Sequence, residues 1–296
     1  GMIHAGTSAM QRTNESPILA DWSALARSGF ATWFEAVETK MYRRWPEPHP
    51  AISVRLEREA LRLRFEAADS SKPLFGVPFF LKDSFDAVGY PTRASSTFLP
   101  NVRGEPSTDS PVLARAEELG AIFVGKTHMN EFGYGLTGEN PHYGDCPNPL
   151  DSARMIGGSS SGSAFVVGSG ACPLAFGTDA GGSMRVPGAW CGLHSVRLTP
   201  GYQLESGCVR LTPSFSTMGW FTRSAAEMRQ VIEEWFEVPL PEPSVKSKGA
   251  FFGFPSIVDV DVLTALQEAL SASLLDIDHL SPDALPTELI EKIRPS

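Results

Sequence analysis

An α/β fold is predicted by the alternation of two kinds of segment along the chain. Short apolar runs that end at glycine or lysine alternate with stretches whose apolar residues recur at helical spacing. The chain has 296 residues, 42% of them hydrophobic, which is enough to bury a sizeable core in one large domain. No internal repeat or low-complexity tract points to a solenoid or a disordered chain.

Residues 16–68 read as two helices and a linker. Trp22, Leu25, Phe30, Phe34, Val37 and Met41 form one apolar stripe. Val54, Leu56, Leu61, Leu63 and Phe65 form a second after the break PEPHP, with Glu57, Arg58, Glu59 and Arg62 as a solvated face. Next, GVPFFLK reads as a short strand ending at Lys82, which is either a surface charge or a buried amine whose desolvation makes it a base. A helix is expected over 109–119, capped by Ser107 or Asp109 and stopped by Gly120, followed by the strand AIFVG.

Gly120, Gly125, Lys126 and Thr127 match the phosphate-loop pattern GxxxxGK[ST]. In that motif a strand precedes the first glycine and a loop follows it. Here a helix precedes and a strand follows, so the match reads as accidental. Residues 129–150 read as loop, 187–201 as short apolar pieces and turns, and 225–237 as a helix with Met228, Val231, Ile232, Trp235 and Phe236 on one face. A Pro-rich linker, VPLPEPSVKSKG, leads to a strand AFFGF, a helix over 261–274 and a short final helix over 286–293.

A net charge of −9 argues against nucleic acid or an anionic membrane as partner. The cysteines, Cys146, Cys172, Cys191 and Cys208, lack metal-ligand or CxxC spacing and read as reduced thiols. The first residues show no signal sequence, and Gly1 before Met2 reads as a cloning remnant. The longest weakly polar run, 164–176, is too short to span a bilayer, so a cytoplasmic protein is expected.

Residues 157–185, GGSSSGSAFVVGSGACPLAFGTDAGGSMR, carry the chemistry. Serines flanked by glycines make poor core and poor helix interior, and suit a place where bare N–H groups and hydroxyls face a ligand. Chemistry at a carboxylic amide needs a nucleophile, a base and donors for the oxyanion. Ser183, entered through two glycines, is the nucleophile candidate. None of the six histidines, His4, His49, His128, His142, His194 and His279, sits in a GxSxG-type setting. A lysine held neutral is the remaining type of base.

GGSSSGS and GTDAGGSMRVPGAWCG, preceded by GVPFFLKD and GKTHMNEF, resemble the amidase signature family of serine hydrolases over most of 60–237. The resemblance implies a Ser-cisSer-Lys triad, with Lys82 as base, Ser159 as the bridging serine after a cis peptide bond and Ser183 as nucleophile. It further implies an oxyanion hole from the N–H groups of Ala180, Gly181, Gly182 and Ser183, supported by Ser160, Thr178, Asp179 and Arg185. Ser161 departs from the family's GGSSGGS, and His128 and Asn130 stand where many members have Asn and Asp.

The implied fold is a single α/β/α domain with a large mixed β-sheet flanked by helices and a shortened C-terminal part. Residues 1–68 would be an N-terminal helical segment packing on the core, 69–238 the signature core, and 239–296 a linker and partial C-terminal α/β segment of the same domain. The implied activity is hydrolysis of a small-molecule amide without metal or cofactor, in a monomer or a homodimer. Two alternatives stand beside it: a shortened amidase-like binding or scaffold subunit completed by a partner, and a phosphate-loop nucleotide-binding protein. Phe79, Phe80, Tyr134, Trp190 and Phe215 are candidates for an apolar acyl pocket, or else core.

Overall fold

The computed structural model describes residues 18–45, 47–202, 206–242, 248–252, 258–273 and 276–280. They fall in two compact units, Gly1–Val238 and Pro239–Ser296. In the first, helices α1 (Leu19–Arg27) and α2 (Phe30–Val37) run into a π-helical turn, Glu38–Tyr42, before strand β1 (Ile52–Arg55) and helix α3 (Arg58–Ala67). Then come β2 (Pro78–Lys82), α4 (Leu99–Arg103), α5 (Pro111–Glu118), β3 (Ile122–Thr127), α6 (Ser161–Gly168) and β4 (Leu174–Asp179). Helix α7 (Arg185–Trp190), β5 (His194–Arg197), β6 (Thr217–Thr222) and α8 (Ala225–Phe236) complete the unit. In the second unit, β7 (Lys248–Phe252) pairs in parallel with β8 (Asp276–Leu280), with α9 (Val260–Ala272) between them in sequence. The final helix expected over 286–293 lies outside the described residues.

The first unit is built on a mixed six-stranded sheet in the order β1-β3-β2-β4-β6-β5. Strand β2 runs parallel to both β3 and β4, and the outer pairings are antiparallel. Helices cover both faces. Phe176 of β4 meets Trp235 of α8 and Trp220 of β6 on one side. Gly177, the next residue and so on the opposite face, lies against Ser160 and Met184 at the starts of α6 and α7.

The N-terminal stripe breaks into two helices at Gly29, whose φ of +106° suits glycine. The indole N–H of Trp33 donates to the Gly76 carbonyl at 2.7 Å, and the Tyr42 hydroxyl donates to the Val124 carbonyl, tying this segment to β2 and β3. The second expected helix starts late. Val54 lies in β1, and the Leu56 N–H bonds to the Val124 carbonyl, because this stretch adds an antiparallel edge to β3 and the sheet overrides the helical spacing. Strand β6 was not legible, nor was β8.

Helix α5 corrects the expected cap. Neither Ser107 nor Asp109 caps it: the buried Ser110 hydroxyl accepts from the Leu113 N–H, with Pro111 as first helical residue. Asp109 instead accepts from the Val88 N–H at 2.7 Å. Ser110→Ala is expected to lower unfolding free energy by about 1 kcal/mol, and Ser107→Ala by less than about 0.5 kcal/mol, in urea titrations.

Candidate active site

The parallel pair β2 and β4 ends on one edge of the sheet, where open α/β sheets bind ligands. Leu81 pairs with Phe176, so Lys82 closes β2 beside Gly177 and Thr178. Helix α6 starts over the same edge. Its serines and glycines are used for packing as well as chemistry: a Cβ on Gly162 would collide with the carbonyls of Ala51 and His128, and one on Gly177 with Ser160 and Met184. Ser163 donates to the Phe176 carbonyl at 2.9 Å and accepts from the Thr127 hydroxyl at 2.7 Å.

Lys82 is fully buried. Its Nζ lies 2.7 Å from Ser159 Oγ, 3.0 Å from Ser160 Oγ and 2.8 Å from Thr178 Oγ1, with the Thr178 carbonyl at 3.4 Å. No carboxylate touches it among the described residues. Burial pushes its pKa down from 10.5 to about 7, against the pull of the Asp179 carboxylate. Ser160 Oγ donates to the Thr178 carbonyl at 3.1 Å, so it meets the amine as an acceptor. A neutral amine has two hydrogens, one for Ser160 and one for Thr178, which leaves its lone pair for the Ser159 hydroxyl.

The Gly158–Ser159 peptide is cis. Asn130 packs against Gly158 where a side chain would otherwise stand, with its Oδ1 accepting from the Gly138 N–H at 3.1 Å. Ser161, the departure from the family motif, is buried as the first residue of α6. Ser183 and Ser159 line one small open pocket, and the Ser183 carbonyl accepts from the Ser160 N–H at 3.2 Å. Ser183 Oγ has no hydrogen-bond partner among the described residues.

Asp179 shapes the turn that presents Ser183. One oxygen accepts from Gly182 N–H, Arg185 Nη2 and Arg197 Nε at 3.0, 2.9 and 3.1 Å. The other accepts from Met184 N–H at 3.0 Å and from Arg185 Nε at 3.1 Å. Burial alone would raise this carboxyl, but the Arg185 and backbone donors hold it below the usual carboxylate range. The Gly182 N–H is thus taken. Those of Ala180, Gly181 and Ser183 have no partner among the described residues.

The pocket is also lined by Met129, Phe132, Gly133, Thr178, Ala180, Val209, Leu211 and Ser216. None of the five aromatics nominated from sequence is among them. Phe79 and Phe80 are buried in the core, and Tyr134, Trp190 and Phe215 are exposed. The true lining comes from loops, where no periodicity marks it. His128 is buried, stacked on Tyr143 and bonded through Nδ1 to Ser95 Oγ at 3.0 Å, outside this pocket. Among the described residues no His, Cys, Asp and Glu cluster suits a metal, and no helix is long and apolar enough to cross a membrane.

Comparison with known proteins gives a match to the model of the Amidase family over residues 43–239. The chain is 42% identical over 164 residues to a glutamyl-tRNA(Gln) amidotransferase subunit of Maridesulfovibrio salexigens, covering 55% of this chain and 33% of that one. It is 37% identical over 174 residues to Amidase 1 of Oryza sativa subsp. japonica, covering 59% of this chain and 40% of that protein. A solved amidase structure superposes on 90% of this chain and 63% of its own, with a TM-score of 0.75 and 27% identity. The chain thus spans about a third to two fifths of the length of these curated relatives.

The buried amine predicts a pH dependence of stability. Between its folded value of about 7 and its ordinary 10.5, Lys82 is neutral in the fold and charged in the unfolded chain. The unfolded chain then binds more protons, so stability rises with pH across that window, by up to about 1.4 kcal/mol per pH unit. Urea unfolding between pH 7 and pH 8, below the range in which the buried Cys146, Cys172, Cys191 and Cys208 thiols oppose it, is expected to show this rise, and Lys82→Met to flatten it.

Proposed function

The chain belongs to the amidase family, and from that premise we propose that it hydrolyses a carboxylic amide to acid plus ammonia or amine through an acyl-enzyme on Ser183. The observation that carries the proposal is the contact of a buried, carboxylate-free Lys82 amine with Ser159 Oγ at 2.7 Å, in a pocket that Ser183 shares. Ser183 Oγ attacks the amide carbonyl as Ser159 takes its proton and passes its own to Lys82. The relay run backwards protonates the leaving amine, and water then cleaves the ester. Ala180, Gly181 and Ser183 supply the oxyanion donors, while the Gly182 N–H stays with Asp179. Ser160 and Thr178 orient the amine, and Arg185 secures Asp179. Every step uses groups of this chain and water.

The similarity to a protein named as one component of an amidotransferase favours a second reading, in which a partner chain completes the site. Intact-mass measurement after exposure to a fluorophosphonate separates the two. A single adduct that maps to Ser183 and is lost in Ser183→Ala supports self-contained activation. Folded protein that takes no label selects the partner-dependent form. Lys82→Ala is expected to label at least a hundredfold more slowly at neutral pH and to recover in part at high pH, where hydroxide replaces the base.

Met129, Phe132, Val209 and Leu211 line the pocket beside its serines and Thr178, and no charged side chain lines it among the described residues. Binding a carboxylate there would strip its hydration without a partner. A neutral alkyl or aryl amide is therefore expected to exceed a carboxylate-bearing amide of similar size at least tenfold in kcat/KM.

A further inference from the structure

Lys126, the lysine of the accidental phosphate-loop pattern, has no part in the proposed chemistry. It lies on β3 beside Leu81 of β2, with Nζ 2.8 Å from Asp83 Oδ1, and both side chains are fully buried. Its ammonium also donates to the Pro91 carbonyl at 3.1 Å and to Thr92 Oγ1 at 3.3 Å. Asp83 directly follows Lys82. Its backbone is clamped by bonds to the Thr127 carbonyl and the Ala94 N–H, while its Oδ2 is buried without a partner among the described residues. A buried anion one residue from an amine that must be neutral favours the ammonium, and a second cation in contact with that anion cancels the bias.

We propose that Lys126 is a positioning residue for the proton relay: its buried ammonium neutralises Asp83 and fixes the strand end that carries Lys82, so that the amine faces Ser159 without an unbalanced charge behind it. The inference rests on Lys82 acting as the proton acceptor. The other charges around these residues are balanced separately, Asp179 by Arg185 and Arg197, and Asp86 by Arg103. His128 is pushed down to about 4 by burial and the Cys208 thiol up to about 12, so both are neutral at pH 7. Arg93, in the loop against Asp83, and Arg210, beside Cys208, are the same in every variant below.

The test is an NMR titration of Lys82 in protein with carbon-labelled lysine, its resonance assigned by its loss in Lys82→Met. Parent, Asp83→Asn and Asp83→Asn/Lys126→Met are compared. Removing the anion alone leaves the Lys126 ammonium uncompensated and is expected to lower the Lys82 midpoint by about one pH unit. Removing both charges is expected to return it to within about 0.3 unit of the parent. The pH at which fluorophosphonate labelling of Ser183 reaches half its maximum moves in step. An Asp83→Asn midpoint at the parent value, with only stability reduced, leaves the pair a structural role and overturns the proposal. So does a double-variant midpoint displaced by a unit or more, which is decisive even if Asp83→Asn alone does not fold. Midpoints that move as expected in protein that never labels at Ser183 uphold the charge coupling of Lys126 and Asp83 to Lys82, while the proposed function, and with it the relay role, fails.

Discussion

The constraint on which the structure turns is a lysine amine enclosed in protein with hydroxyls and a carbonyl, and no carboxylate, against it. An ammonium taken out of bulk water needs a counter-ion or loses its proton. Lys82 is fully enclosed with no carboxylate in contact among the described residues, and its pKa falls to about 7. The surrounding fold makes this possible. The parallel alignment of β2 with β4 brings Thr178 to the amine, and α6, laid across the same edge, brings Ser159 and Ser160.

Charge around the amine is sorted into closed sets. Asp179 gathers Arg185 and Arg197 along with two N–H groups of the turn, so much of its charge is offset by the groups that hold that turn, and burial outweighs the pull it keeps on the amine. Asp83 is held by Lys126 on the adjacent strand. Each pairing offsets an anion that would otherwise draw the amine further toward the ammonium. A single-residue step separates Lys82 from Asp83 in sequence, yet one ends among hydroxyls and the other in an ion pair, because successive residues at a strand end face opposite sides.

Much of the site was legible because its residues sit in short, compositionally odd motifs. GVPFFLK gave β2 with Lys82 at its end but left that lysine open between a surface charge and a buried amine, which the fold resolves as buried, and the order of helix and strand around Gly120 was enough to reject a phosphate loop. The parts that were not legible depend on contacts between distant segments. Val54 follows a helical spacing but pairs with β3, and Ser110 caps α5 in place of Ser107 or Asp109 because Pro111 fixes the helix start after it. The pocket wall of Met129, Phe132, Val209 and Leu211 comes from two loops far apart in sequence. Lys126 and Asp83 are likewise ordinary charges until the sheet sets them side by side.

The glycines of 157–185 show how a sequence argument for chemistry and one for packing overlap. Their density suggested backbone bared toward a ligand, but most have another reason to lack a side chain. Gly157 abuts Pro187, Gly158 abuts Asn130, Gly168 abuts Pro149, and Gly162 and Gly177 bring α6 onto the sheet. Gly170 and Gly182 have φ of +73° and +144°. Gly181 alone in the segment has neither a positive φ nor any atom within 4 Å of where its Cβ would stand. It is exposed, its N–H is unpartnered among the described residues, and it precedes the turn that carries Ser183. Packing and backbone conformation account for its neighbours but not for Gly181, where the oxyanion role proposed for its N–H supplies a reason to lack a side chain.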